Sequence, residues 1–362
     1  MYKKLLSTLL AFSLAGTVFC TPFSYADEKL SYRDAVHYAV NNNLSIEKTQ
    51  KQINDYNDDL ETGIPVSEEM LELDPSAGAR SSIGMRSMQS GLEVAQLSKD
   101  VQEEALKVSL KETFYNIEKY EKNTFLLNKQ IAHMRDKFNV INLKYKLGLV
   151  SKSEFEKFGF ELEKKANEQK DNKLNLDMEY RTLSKLIGIK NNKKIEYLIP
   201  EKYATIDQKS ISVEGKALQA SSMAPSIYAQ NEEIKLLEAK LDLGLFDQTL
   251  DSIPEKNQKE SLRQKDVDMR ISKDNLKNAV LDMGGQIISL EDNIENTELS
   301  LENMNLQQRN IAAMVKAGTA TKLQLEDLNL KLEETKFELN NMKKTHEIMV
   351  LRLEKPYLLA LQ

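Results

Sequence analysis

Apolar residues recur along the first half of the chain in steps of three, four and seven, with Lys and Glu filling the positions between them. The apolar positions are Val94, Leu97, Val101, Val108, Phe114, Ile117, Ile131, Met134, Phe138, Ile141 and Tyr145. This spacing predicts paired helices that supercoil along an apolar seam. We expect one helix from about Met88 to Leu147, about 90 Å long, and a partner from Ser151 to about Ile187. Helices of that length are stable only when they lie against one another.

The same pattern returns 170 positions later. YKLGLVSKSEF, which contains Gly148 and Ser151, matches VKAGTATKLQL, which contains Gly318 and Thr321. The register also holds for Ile117 with Ile287, Ile131 with Leu301, Met134 with Met304, Ile141 with Ile311, Leu162 with Leu332 and Leu183 with Leu353. A period this long predicts duplicated helical hairpins rather than a short-period solenoid.

Each glycine of the repeat marks a hairpin tip. Gly148 and Gly318 supply the left-handed residue that ends the incoming helix. Ser151 and Thr321 follow three residues later, and each begins a capping-box sequence at the start of the outgoing helix. The pattern alone leaves open whether the tips are turns only or also bind a partner.

A second repeat, offset by 181 positions, precedes each hairpin. The segment 30–43 predicts a short helix with Ser31 as its N-cap, and a second helix follows. Ala39, Ile46, Ile53 and Leu60 match Ala220, Ile227, Ile234 and Leu241. The sequence therefore predicts an all-α protein with a first repeat at 27–187, a linker at 188–210 and a second repeat at 211–362. The linker could hold one short strand at 195–199.

The N-terminus predicts an export signal at 1–26. Lys3 and Lys4 precede the apolar run 5–19, and Ser24-Tyr25-Ala26 places small residues where a signal peptidase cleaves. The alternative is a lipoprotein attached at Cys20, although Phe19 occupies a position that needs a small residue. We expect an exported protein of the cell envelope, in the periplasm, associated with an outer membrane or at the cell surface.

Composition narrows the classes of function. Cys20 is the only cysteine, so cleavage would leave neither a disulfide nor a thiolate site. Removal of Lys3 and Lys4 changes the formal charge from −6 to −8, which argues against nucleic acid as a partner. No later segment has the apolar length of a membrane helix.

Chemistry-bearing motifs are missing from the sequence. His37, His133 and His346 are the only histidines, and none has a second histidine close in sequence with which to bind a metal. No P-loop, nucleophile elbow or dinucleotide fingerprint occurs. Gly284-Gly285 follows no strand and indicates a helix defect or a close-packing point. We expect no enzyme activity, no catalytic or metal site and no cofactor.

The export signal, the duplication and the tips KYKLGLVSKSEF and MVKAGTATKLQL resemble the TolC family of outer-membrane efflux proteins. The entry segment LSYRDAVHYAVNNNLSI and the segment TLSKLIGI, which closes the first hairpin, are also similar to that family. The resemblance covers nearly all of the chain after residue 26. It implies a TolC-like α-barrel protomer, a homotrimer that encloses a duct, and a membrane-fusion adaptor or an ABC or proton-driven pump as partner.

The resemblance also assigns site residues. The adaptor-docking tips would comprise Lys144, Leu147, Gly148, Leu149, Val150, Ala317, Gly318 and Thr319. The constriction of the duct would comprise Glu154, Gln324 and Asp327. Ala320 stands where the family often has a basic residue after the second glycine.

The intervals in which the family inserts membrane strands depart from its pattern. A membrane strand needs about 9–11 residues that alternate apolar with polar, flanked by aromatic residues. The segment 61–84 has no aromatic residue, and 242–265 has only Phe246 among many charges. We therefore expect the membrane strands to be absent or vestigial, and no independent membrane span.

Two functions follow from these observations. The first is an extracytoplasmic TolC-like component of an efflux or export system, which forms or docks to a trimeric helical duct. The alternative is a structural coiled-coil protein of the cell envelope without transport activity. A homotrimer is expected because Val101, Val108 and Ile117 cannot all face one partner helix.

Overall fold

A computed structural model describes residues 29–74, 76–191, 193–245 and 254–361. Its helices are α1 (Tyr32–Asn42), α2 (Leu44–Thr62), α3 (Glu68–Leu73), α4 (Ala77–Lys146), α5 (Lys152–Leu186), α6 (Val213–Met223), α7 (Pro225–Asp242), α8 (Pro254–Lys316), α9 (Lys322–Glu354) and a closing 3-10 helix, Pro356–Leu361. The expected signal peptide, with Cys20, lies outside the described residues.

Both sequence repeats are visible in the helix bounds. Adding 181 to the bounds of α1 gives the bounds of α6, and adding 170 to the end of α4 gives the end of α8. Both members are buried in each of these pairs of apolar residues that match at these offsets: Ala39 and Ala220, Ile46 and Ile227, Ile53 and Ile234, Ile117 and Ile287, Ile131 and Leu301, Leu183 and Leu353. The predicted all-α hairpin architecture is confirmed.

The helix α4 is longer than its seam predicted. It begins at Ala77 rather than near Met88 and contains 70 residues, about 105 Å. The Asp74 carboxylate accepts a 2.9 Å hydrogen bond from the backbone N–H of Ser76, just before the first turn. Part of the segment 61–84, in which the TolC family inserts membrane strands, is therefore helical. Its other part holds α3, which Ser67 caps by accepting a 3.2 Å hydrogen bond from the Met70 N–H.

The long helices form a layer in which α4 packs along α5 on one side and along α9 on the other, while α9 also packs along α8. Shorter helices cover this layer, α1 and α2 lying on α4 and α6 and α7 lying on α8. Val101 and Val108 pack with Ile348 of α9 and with Leu358, whereas Ile117 belongs to the core beneath α1. The apolar sides of α4 are thus buried within one chain, and our argument for a trimer from these three residues is wrong.

A buried group of charges joins the two halves at mid-length. Lys344 of α9 lies 2.7 Å from the carboxylate of Glu118 of α4, and both side chains are almost fully buried. Tyr115 donates a 2.7 Å hydrogen bond to Glu347, which also pairs with Lys111. Burial holds the pKa of Lys344 below its ordinary value despite the neighbouring carboxylate of Glu118. Removing one partner of such a pair would leave a buried charge uncompensated, so the group fixes the register of α4 against α9.

The linker forms a single bridge rather than the strand expected at 195–199. Leu30 donates a 2.8 Å backbone hydrogen bond to Lys194 and accepts one of 2.9 Å from Glu196. Ile195 is buried, but Ile199 is 95% exposed and Pro200 follows it, so the ladder cannot continue. Across the described ranges no β-strand forms. Residues 246–253, within the second interval in which the TolC family inserts membrane strands, lie outside those ranges.

Among the described helices, none combines the length and the apolar character needed to cross a membrane.

Candidate docking tips and constriction

The first hairpin tip is built by local backbone hydrogen bonds. The N–H of Leu149 donates to the carbonyl of Lys144 at 2.8 Å, and the N–H of Gly148 donates to that of Tyr145 at 2.9 Å. This is the Schellman pattern, and it requires the left-handed φ of 71° that Gly148 adopts. Ser151 then accepts a 3.1 Å hydrogen bond from the backbone of Glu154 and starts α5.

The second tip repeats this geometry. Thr319 donates to the carbonyl of Met314 at 2.9 Å, and Gly318 has a φ of 74°. Thr321 and Gln324 complete a capping box, since each side chain accepts a hydrogen bond from the other's backbone N–H. The first tip has the N-cap bond of Ser151 without this reciprocal bond, so the expectation of two capping boxes holds only at the second tip.

The side chains of the two tips differ in character. At the first tip Leu147 is 64% exposed and Leu149 is 69% exposed, while Val150 is half-buried. Lys144 is exposed in the last turn of α4. The second tip offers the small exposed residues Ala317, Gly318 and Thr319. The larger apolar surface therefore belongs to the first tip.

The two tips lie at the same end of the molecule but at different levels. Ion pairs between α4 and α9 fix an antiparallel register, with Glu118 beside Lys344, Lys129 beside Glu333 and His133 beside Asp327. This register sets the start of α9 level with about residue 139 of α4, so the first tip projects roughly 10 Å beyond the second.

Asp327, the predicted constriction residue nearest to α4, is held by side chains of its own chain. His133 Nε2 lies 2.6 Å from the Asp327 carboxylate, and Lys137 pairs with the same oxygen atom. Partial burial alone would raise the pKa of Asp327, but the hydrogen bonds from Lys137 and His133 outweigh it and hold the pKa below its ordinary value. The carboxylate is therefore charged near neutral pH and bridges α4 and α9 close to the tips.

The other two constriction candidates lie apart from this bridge. The side-chain amide of Gln324 is engaged in the capping box at Thr321, and Glu154 is exposed in the first turn of α5. Sequence reasoning did not identify His133 and Lys137 as partners of Asp327, which lies 194 positions beyond His133. Only the antiparallel register of α4 and α9 could have paired them.

Known proteins resemble this chain in structure rather than in sequence. No family model matches the sequence, and no curated protein is significantly similar to it. Three solved structures similar to it are those of outer-membrane proteins: the CmeC outer membrane channel of Campylobacter jejuni, the outer membrane protein VceC of Vibrio cholerae and the MtrE outer membrane channel of Neisseria gonorrhoeae in its open state.

The match to these structures extends over nearly the whole chain. For CmeC the identity is 11%, the TM-score is 0.62, and the alignment covers 90% of this chain and 85% of that one. For VceC the corresponding values are 10%, 0.62, 89% and 95%, and for MtrE they are 11%, 0.63, 90% and 88%. The chain thus has the TolC-like fold, and two of these three structures with the same fold are outer-membrane channels.

The described residues contain no group of three or more His, Cys, Asp or Glu side chains placed to hold a metal ion.

Proposed function

We propose that the protein is an extracytoplasmic, TolC-like component of an efflux or export system, and that three copies form a helical duct. The observation that carries this proposal is the layer of long helices, in which α4 and α9 lie inside and α5 and α8 lie at the two edges. In α5 only Asn172 and Leu183 are buried among the described side chains. An open edge on each side of the layer suits a closed ring of identical subunits.

The apolar residues on the two edges support this ring. On α5, Phe160, Leu174 and Met178 are exposed and share one face at helical spacing. On α8 the exposed apolar residues fall within an arc of about 100°, and they are Val267, Ile271, Ile288, Leu299, Leu306 and Met314. Pairing of α8 with α5 of the next copy would remove both stripes from water.

The tips are the proposed docking surface for a membrane-fusion adaptor or a pump. Leu147 and Leu149 are exposed although no feature of the fold requires leucine at these two positions. Within the proposal, the bridge from Asp327 to His133 and Lys137 sets the separation of α4 and α9 near the narrow end of the duct.

An efflux assay in the native host tests the proposal. Deletion of the chain should raise the retention of exported dyes, and wild-type protein should restore efflux. Leu149→Asp should fail to restore it, because the substitution would place a charge that loses its hydration in an apolar contact. Leu44→Asp is the matched control, since Leu44 is 78% exposed at the start of α2, far from the tips. Unchanged dye retention on deletion would instead favour a structural envelope protein.

A further inference from the structure

The charge of the tip end contrasts with the charge of the chain. The formal net charge is −6, yet residues 137–153 and 303–325 hold seven Lys or Arg residues and no Asp or Glu. These two segments are the ends of the two long hairpins, and both lie at the same end of the molecule. The tips therefore form a basic end on an acidic protein.

Most of these cations are available to an external partner. Lys144, Lys146 and Lys316 are exposed, and none of them forms an ion pair with the residues that the structure describes. Lys152 pairs with Glu156 at 3.4 Å, with both side chains largely exposed. Such surface pairs are weak and are easily exchanged for other anions.

One segment at the opposite end of the molecule is strongly acidic. Residues 52–79 contain eight Asp or Glu residues and no Lys or Arg. Ser81 near the start of α4 donates a 2.8 Å hydrogen bond to the carbonyl of Ile64, which fixes this segment roughly 90 Å from the first tip. An anionic surface would attract the tips and repel this acidic segment, which favours an approach with the tips first.

Exposed leucines at the first tip provide an apolar contact surface beside the basic residues. Leu143 is 60% exposed, and together with Leu147 and Leu149 it lies on the tip that projects further. Their neighbours Lys144 and Lys146 can extend alkyl stems along an apolar layer while their ammonium groups remain among anions. Protruding leucines with lysines beside them suit the surface of a lipid bilayer, which combines anionic headgroups with an apolar interior.

We infer that the tips bind the headgroup layer of an anionic membrane, and that the first tip inserts Leu147 and Leu149 into it. This inference takes a membrane, in place of the adaptor or pump, as the surface that the tips meet, and it rests on the proposed function only for the tips being the partner-facing end. A membrane fits better than an acidic protein because the apolar residues stand on a convex apex rather than in a groove.

Vesicle sedimentation tests the inference. The chain is expressed in an exporting host, and the exported form is mixed with vesicles of phosphatidylcholine alone or of equal parts phosphatidylcholine and phosphatidylglycerol. The wild type should sediment only with the anionic vesicles. Raising NaCl from about 0.05 M to about 0.5 M should weaken this binding because salt screens the headgroup charge.

Variants separate the contribution of charge from that of the leucines. Lys144→Glu with Lys146→Glu should lower the partition coefficient at least about 30-fold. Leu147→Ser with Leu149→Ser should lower it about tenfold or more, with helicity unchanged. Lys48→Glu with Lys202→Glu makes the same change in charge at exposed sites away from the tips and should retain most of the binding.

Three outcomes would overturn the inference: no binding to anionic vesicles at low salt, equal losses in the tip and control variants, or binding that the leucine variants leave unchanged. If the wild type ignores vesicles while Leu149→Asp still abolishes efflux, an acidic protein is the partner instead, and the proposed function survives. If the vesicles bind as expected but deletion leaves dye efflux unchanged, the inference stands and the proposed function fails.

Discussion

At the scale of single residues, the contact among Asp327, His133 and Lys137 is the feature of the candidate constriction that is most open to test. The folded state lowers the pKa of Asp327 below its ordinary value of 3.8. A carboxyl group of this kind contributes stability above its unfolded pKa, and the contribution disappears as the pH falls through the folded pKa.

We therefore expect Asp327→Asn to destabilise the protein near neutral pH and to have little effect in acid. Because the Asp327 side chain is 43% exposed, the loss should be at most about 1 kcal/mol. Urea unfolding at about pH 7 and about pH 2 measures the difference between wild type and variant, because the contribution is lost only well below the ordinary pKa of 3.8. Asp136→Asn is the control, since Asp136 is exposed on α4 and forms no ion pair in the described structure. The same loss for Asp327→Asn at both pH values would exclude an electrostatic origin.

Residue chemistry shows which parts of the site a sequence can predict. Gly148, Ser151 and Thr321 were predictable because a left-handed residue and an N-cap act within a few positions along the chain. The contact of His133 with Asp327 was not predictable, since it depends on how two helices far apart in sequence slide past each other. The close contact of Gly84 in α4 with Ile64 was equally unpredictable, because the two residues belong to different segments.

At the scale of helices, the adjacent glycines 284 and 285 give opposite expectations within one turn of α8. A Cβ at Gly284 would meet Cγ1 of Val213 at 2.4 Å, whereas a Cβ at Gly285 would meet nothing within 4 Å. Gly284 is therefore the close-packing point that the sequence suggested, and it lets α6 approach α8. The helix α8 runs without interruption through both glycines, so the alternative of a helix defect is wrong.

Gly284→Ala should destabilise the protein by about 1–3 kcal/mol, because α6 must shift away from α8. Gly285→Ala should stabilise it by up to about 1 kcal/mol, because alanine favours the helix and has room. Thermal unfolding followed by far-UV circular dichroism compares the two variants directly. If both substitutions shift the midpoint in the same direction, contact with Val213 does not explain the glycine at 284.

At the scale of the whole molecule, the repeat explains why one chain leaves two open edges. Duplication places α4 and α9 side by side in the middle of the layer and leaves α5 and α8 with one long neighbour each. Sequence periodicity predicted the hairpins, but it did not predict which apolar residues remain exposed once the hairpins have packed. The positions of Val101 and Val108 predicted a second subunit, but the structure buries them against α9 and the closing 3-10 helix of the same chain.

The apolar stripe on α8 makes the proposed trimer testable without disturbing the fold. Ile288 is 49% exposed and Leu299 is 59% exposed, so Ile288→Glu with Leu299→Glu should leave the core of each chain intact. In a ring the same two substitutions occur at three interfaces, and each interface loses roughly 1.5–3 kcal/mol of apolar burial. The trimer should therefore dissociate at micromolar concentration. Sedimentation equilibrium should then show a trimer for the wild type and a monomer of unchanged helicity for the variant. Ile199→Glu, in the exposed linker, controls for added charge and should remain trimeric. A trimer that survives in the α8 variant would mean that subunits meet through another face, and a monomeric wild type would remove the duct altogether.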